Sequence, residues 1–150
     1  MSSWMQDSVR EFHEHMGQPA PEKLDIEGVR MELRLKLIME EALEVVQAAG
    51  YSVTVTAAHN AYFRKLGEPD WVEVVDGLCD LAYVTFGFAV EAGFSLGPFF
   101  CEVHRSNMTK LDKETGKPII RESDGKVLKP ETWEPPRIKY LWDRLVSRSK

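Results

Sequence analysis

Apolar residues return every three to four positions over most of the chain, the spacing of helices that bury one face. Met5, Val9, Phe12 and Met16 fall on one side of a first helix over 3–16, stopped by Gly17. Asp25 is placed to cap a second helix that reaches Ala49. Val29, Leu33, Leu37 and then Leu43, or Ile38 and Val45, give it a wide apolar face, and Gly50 suits its end. Asp70 followed three residues later by Glu73 resembles a capping box for a third helix over 71–92, ended by Gly93. Ser95 can cap a fourth, "LGPFFCEVHRSNMTK", with Pro98 in its first turn. A last amphipathic helix, "RIKYLWDRLVSR", would bury Ile138, Leu141, Trp142 and Leu145, its start set by Pro135–Pro136. Two stretches break the pattern. "YSVTVT" alternates like a strand, and "AAHNAYFRKL" after it reads as a short helix. From Leu111 to Pro136, Gly, Pro, Lys and Asp take over, and Asp124–Gly125 between two short apolar runs signals a hairpin. The expected fold is all-α: a bundle of four to five helices with a small β-hairpin flap at 111–136 near the C-terminus, in one domain.

Composition narrows the classes without choosing among them. A length of 150 residues, 43% hydrophobic and 29% charged, is ordinary for a soluble globular domain. A formal net charge of −5 argues against general nucleic-acid binding. "MSSWMQDSVREFHEHMG" is too polar for a signal peptide, and "LAYVTFGFAV" is about half of a membrane span. Cys79 and Cys101 form no metal or disulfide pattern; sitting in apolar helical stretches, they read as reduced core thiols in a cytoplasmic protein. His13, His15 and His59 show no partner pattern and read as surface residues, and His104 is equally placed at the edge of the core.

The candidate chemistry lies in carboxylates. "MEEALEVVQAAG", residues 39–50, has the apolar content of a buried helix yet carries Glu40, Glu41 and Glu44. At about 100° per residue, Glu40 and Glu44 lie roughly 40° apart around the axis and Glu41 and Glu44 roughly 60°. Asp76 and Asp80 repeat the i,i+4 spacing inside the apolar "EVVDGLCDLAYV", with Glu73 a turn earlier. A run of EExxE alone also fits a solvated helix face. Two clusters on two helices that cross a core are harder to leave in solvent. If the helices pack together, five or six acidic groups converge, and such a group must raise its pKa values or accept a cation. Carboxylates without His or Cys suit a hard ion, Mg²⁺ or Mn²⁺, which shares its shell with water and substrate phosphate.

These residues carry a resemblance. "EEALE", "DGLCDLAYVTFG" and "EVHRSNMTKL" resemble the all-α nucleoside triphosphate pyrophosphohydrolases, in their MazG-like and phosphoribosyl-ATP-pyrophosphohydrolase-like branch, common in phages and bacteria. The likeness runs from "VREFHEHMG" to "DGKVLK". The family's second acidic motif is spelled E-x-x-D. Glu73-x-x-Asp76 fits it, but "DLAYV" aligns Asp80 with the family's last acid and leaves Gly77 three positions before it. The resemblance implies hydrolysis of a (d)NTP to the monophosphate and pyrophosphate, with a purine deoxynucleotide such as dGTP or dATP among the substrates. Glu40, Glu41, Glu44, Asp76 and Asp80 are then the metal set, and Glu41 the preferred proton acceptor. Arg105, Asn107 and Lys110 in the basic run, with Lys126 in "DGKVL", are the substrate-binding candidates. Phe12, Tyr83 and Trp71 are candidate walls for a base. The family also implies a homodimer or homotetramer.

Two rivals come from other classes. A di-iron bundle needs Glu-x-x-His motifs, and no His here has Glu three residues before it. A non-catalytic helical interaction module, such as a phage or toxin–antitoxin partner, would have no need of inward carboxylates.

Overall fold

The computed structural model describes residues 4–58 and 60–149. The expected helix start at Ser3, and His59, lie outside the described residues. Among the described residues there are five helices and a two-stranded sheet, in the order α1 (Trp4–His15), α2 (Met31–Ala48), β1 (Tyr51–Val55), β2 (Ala61–Lys65), α3 (Trp71–Glu91), α4 (Gly97–Met108) and α5 (Ile138–Ser149). The fold is all-α with a small antiparallel sheet, as the apolar spacing predicts. No helix among the described residues is long and apolar enough to cross a membrane.

The chain divides into two compact units, Trp4–Phe94 and the residues from Ser95 onward. In the first, α2 and α3 pack along each other and α1 packs on α3. Val9, Val74, Ala89, Val90 and Ala92 form its buried apolar centre. The α3 N-terminus is built as expected, with the Asp70 carboxylate accepting from the backbone N–H of Val72 and Glu73. The reciprocal half of the capping box is absent, because the Asp70 N–H donates to Ala48 O at 2.9 Å. That bond ties the start of α3 to the end of α2.

Several local expectations are corrected. "AAHNAYFRKL" is not helical: Ala61–Lys65 is strand β2, antiparallel to β1 with Val53 opposite Phe63. An apolar pattern this short fits either state, and pairing with the neighbouring β-branched run decides it. α2 starts at Met31 rather than after Asp25. The Asp25 carboxylate accepts from Gly28 N–H at 2.9 Å, which closes a local turn, and the Arg30 N–H donates to Glu91 at 2.7 Å. The buried face of α1 is Gln6, Val9 and His13; Met5, Phe12 and Met16 are exposed. Gln6 tolerates burial because its amide donates to Phe94 O at 2.7 Å. Cys79 and Cys101 are both exposed, not core thiols.

In the second unit, the cap position of α4 falls on Leu96 instead of Ser95, and α4 packs against α5. The Glu102 carboxylate is the fastening point. It accepts from the Arg105 guanidinium and from the backbone N–H and guanidinium of Arg137. The Arg105 and Arg137 hydrogen bonds hold it well below the usual carboxylate range. The flap carries no extended strands, only isolated bridges at Leu111–Pro118 and Ile120–Val127. Its two turns share one backbone pattern. Asp112 N–H donates to Lys117 O while Asp112 O accepts from Gly116 N–H, just as Arg121 N–H donates to Lys126 O while Arg121 O accepts from Gly125 N–H.

Candidate active site

The acidic residues meet where α2 passes α3. Glu41 is half-buried; Glu40, Glu44, Asp76 and Asp80 are exposed. The Glu41 carboxyl is pushed above its ordinary value, first by desolvation and then by the charges of Glu44, Asp80, Glu40 and Asp76 in that order. A single carboxylate therefore feels the other four, two of them from the opposite helix. Glu73 is not among the charges acting on it. Lys36 reaches Glu40 at 3.6 Å across an exposed surface, a contact worth about 0–1 kcal/mol, so the cluster stays strongly negative.

What lets the helices come together here is Gly77. A methyl group placed at Gly77 would meet Val45 Cγ2 at 3.0 Å and the Val45 backbone N at 3.5 Å. Val45 follows Glu44 and Gly77 follows Asp76, so the close approach lies between the acids it brings together.

Among the described residues no three His, Cys, Asp or Glu side chains are already gathered round one ion position. Like charges push one another apart in the absence of a counter-ion, and Mg²⁺ typically takes only one or two carboxylates, the rest of its shell being water and phosphate oxygen. An all-oxygen donor set with one raised carboxyl fits a hard divalent ion in its chemistry.

The other end of the helix pair is a different electrostatic object, which the sequence reading missed. Glu91 is 1% exposed. It accepts from Arg30 Nη2 at 2.7 Å and Nε at 3.1 Å, and from both Arg34 Nε and Nη2. Desolvation pushes its carboxyl up, but the two guanidiniums outweigh it and hold the carboxyl at about 2. His13 completes the group. It is buried, not a surface residue, with Nδ1 at 2.8 Å from Pro19 O and Nε2 at 3.5 Å from Arg34 Nη2. Burial is the main reason its pKa is lowered. The available signal was Glu91 standing alone in "FGFAVEAG", a charge in an apolar run that needs a partner.

Phe12 and Tyr83 meet edge to face, centroids 5.7 Å apart, both partly exposed, whereas Trp71 is 70% exposed. Of the basic candidates, all in the second unit, Arg105 is already engaged. Its guanidinium donates to Glu102, to Glu134 at 2.8 Å and to Pro135 O. Asn107 and His104 on α4 are exposed, Lys110 is half-buried, and Lys126 is exposed beside the Asp124–Gly125 turn.

No curated protein matches the chain. Among solved structures, a protein from Exiguobacterium sp. 255-15, described as a candidate NTP pyrophosphohydrolase, shares 25% identity over 99% of this chain and 96% of its own, with a TM-score of 0.45. The family profile of phosphoribosyl-ATP pyrophosphohydrolase matches residues 9–107, a span that holds all five clustered acids together with Arg105 and Asn107. The chain therefore belongs to the phosphoribosyl-ATP pyrophosphohydrolase family and is a pyrophosphohydrolase of the all-α, MazG-like kind.

Proposed function

We propose that the chain is a divalent-metal-dependent nucleoside triphosphate pyrophosphohydrolase, taking a (d)NTP to the (d)NMP and pyrophosphate, with purine deoxynucleotides such as dGTP or dATP as candidate substrates. The observation that carries this is the Glu41 carboxyl, raised by burial and by four neighbouring acids from two helices. Glu40, Glu44, Asp76 and Asp80, with Glu41, are the residues that would hold Mg²⁺ or Mn²⁺. Such an ion, when bound, supplies positive charge to the polyphosphate and holds it for attack. Glu41 is the preferred acceptor for the proton of the attacking water, since a raised pKa makes a stronger base. Water then adds at the α-phosphorus, the bond to the bridging oxygen breaks, and pyrophosphate leaves. Asn107, Lys110 and Lys126 are proposed to bind substrate; Arg105 would first have to release Glu134. Family membership favours this enzyme over the interaction module.

We also propose a homodimer or homotetramer in the cytoplasm. Leu35 and Met39 on α2, and Val72, Val75 and Leu78 on α3, are 50–77% exposed in one chain, more apolar surface than a lone helix pair keeps in water. Light scattering after gel filtration would read the assembly, and a monomer would refute it.

The deciding experiment incubates the protein with Mg²⁺ and each nucleotide in turn, phosphoribosyl-ATP included, and assays pyrophosphate and orthophosphate separately. Pyrophosphate release that disappears in Glu41→Gln and Asp80→Asn is the expected result. Orthophosphate as the product, or no turnover of any nucleotide, would sink the reading.

A further inference from the structure

Glycine inside a helix costs stability relative to alanine, because the unfolded chain is freer and no side chain packs. Gly77 sits in the second turn of the 21-residue α3, is buried, and has a right-handed helical backbone that any residue could adopt. The reason for glycine is therefore what stands opposite. A methyl group there would press on Val45 Cγ2 at 3.0 Å, with the Val45 backbone N and Cα behind it at 3.5 and 3.6 Å. The Cγ2 contact must give by a few tenths of an ångström, and a β-branched side chain in a helix is stiff at χ1 and yields poorly. Adding that carbon is expected to widen the gap between α2 and α3 at this contact, which is one residue from Glu44 on α2 and one residue from Asp76 on α3.

We propose that Gly77 is a positioning residue of the pyrophosphohydrolase site: by admitting Val45 it sets the distance between the acids of α2 and those of α3, and so the affinity of the pair for a divalent cation. This rests on the functional reading above, in which those acids hold the metal. The side chain of Val45 is the gauge. Val45 Cγ2 occupies the space a methyl at Gly77 would need, so Val45→Ala, which removes Cγ2 together with Cγ1, relieves the clash that Gly77→Ala creates.

The test uses the intact protein, with Mg²⁺ alone as probe and the thermal midpoint as readout. Gly77→Ala is expected to raise the Mg²⁺ concentration for half-maximal stabilisation about tenfold, the size of effect seen when the supports of metal ligands are disturbed. The nucleotide KM at saturating Mg²⁺ should stay unchanged. Val45→Ala combined with Gly77→Ala is expected to bring half-saturation back to the wild-type value. Gly87→Ala is the control on the same helix. Its methyl would meet Arg34 Nη1 at 3.0 Å and His13 Nε2 at 3.3 Å, so it should lower the midpoint without moving Mg²⁺ half-saturation.

The proposal is overturned if Gly77→Ala binds Mg²⁺ like wild type, if the paired variant folds but does not recover, or if Gly87→Ala shifts half-saturation equally. Should Gly77→Ala alone fail to fold, the paired variant still decides. A wild-type protein whose melting ignores Mg²⁺ altogether would bring down the functional reading itself, a result distinct from a responsive wild type with an equally responsive Gly77→Ala.

Discussion

Glu91 and Glu41 lie at two levels of the same pair of helices and are treated in opposite ways. Glu91 is enclosed by Arg30 and Arg34 and held at about 2. Glu41 faces four more acids and is pushed upward. Burial raises both carboxyls; what differs is the company. Where a charge serves the fold, this chain supplies the counter-charge from the neighbouring helix. Around Glu41 the nearest charges are four more carboxylates.

The contrast breaks first at its structural end. Glu91→Gln leaves Arg34 buried against a neutral amide, and losing one partner of a buried ion pair typically costs about 3–5 kcal/mol. Urea denaturation should show that loss; an unchanged midpoint would mean the pair does not hold α2 to α3. At the other end, Glu41→Gln should reduce turnover by about 10²–10⁴-fold while leaving the melting temperature equal or higher, since it removes a repelled charge. A variant that loses activity only because it unfolds would contradict the comparison.

Mg²⁺ should act at one end only. At a concentration one hundred times its Kd, a ligand of the native state adds about 2.7 kcal/mol. The gain should be larger at pH 8 than at pH 5, because the raised Glu41 carboxyl takes up a proton earlier than an ordinary one as pH falls. Calorimetric scans at the two pH values would measure it, and it should vanish in the Glu41→Gln, Asp80→Asn double variant.

The smallest effect is the pH dependence of the arginine end. His13 has a lowered pKa, so the unfolded chain binds more protons there. Its contribution is complete above about 6.5 and fades as pH falls through the lowered native value. Glu91 adds to the same acid loss further down, complete above about 4.5 and disappearing toward about 2. Glu41 has the opposite sign. Its stabilisation exists at acid pH and is lost as pH rises through its raised value. His13→Gln should flatten the stability curve between pH 5 and 7 in urea titrations.

The elements easiest to read in the sequence were those with local causes. Asp70 and Gly93 bracket α3 because a cap and a stop act within a turn of their own helix. The acids were legible for the same reason, as i,i+3 and i,i+4 spacing is a property of one helix, and two such clusters implied a meeting. What escaped depends on distant partners. Gln6 and His13 look like surface residues until Phe94 O and Arg34 stand against them, and the Arg30–Glu91–Arg34 contacts span 57 to 61 residues. Phe63 became a strand residue only because Val53 lies across from it. The engagement of Arg105 by Glu134 joins residues 29 apart and was likewise hidden.

The hairpin between the two acidic helices closes at its own base. Gly50 O accepts from Leu66 and Gly67, Ala48 O accepts from Asp70, and Gly50 can sit there only without a side chain, since a methyl would lie 2.5 Å from Gly67 O. The rotational phase of α3 against α2 is thus locked below the strands. A loop exchanged for the strands beyond it is expected to leave this lock in place while removing the packing of β1 on α2.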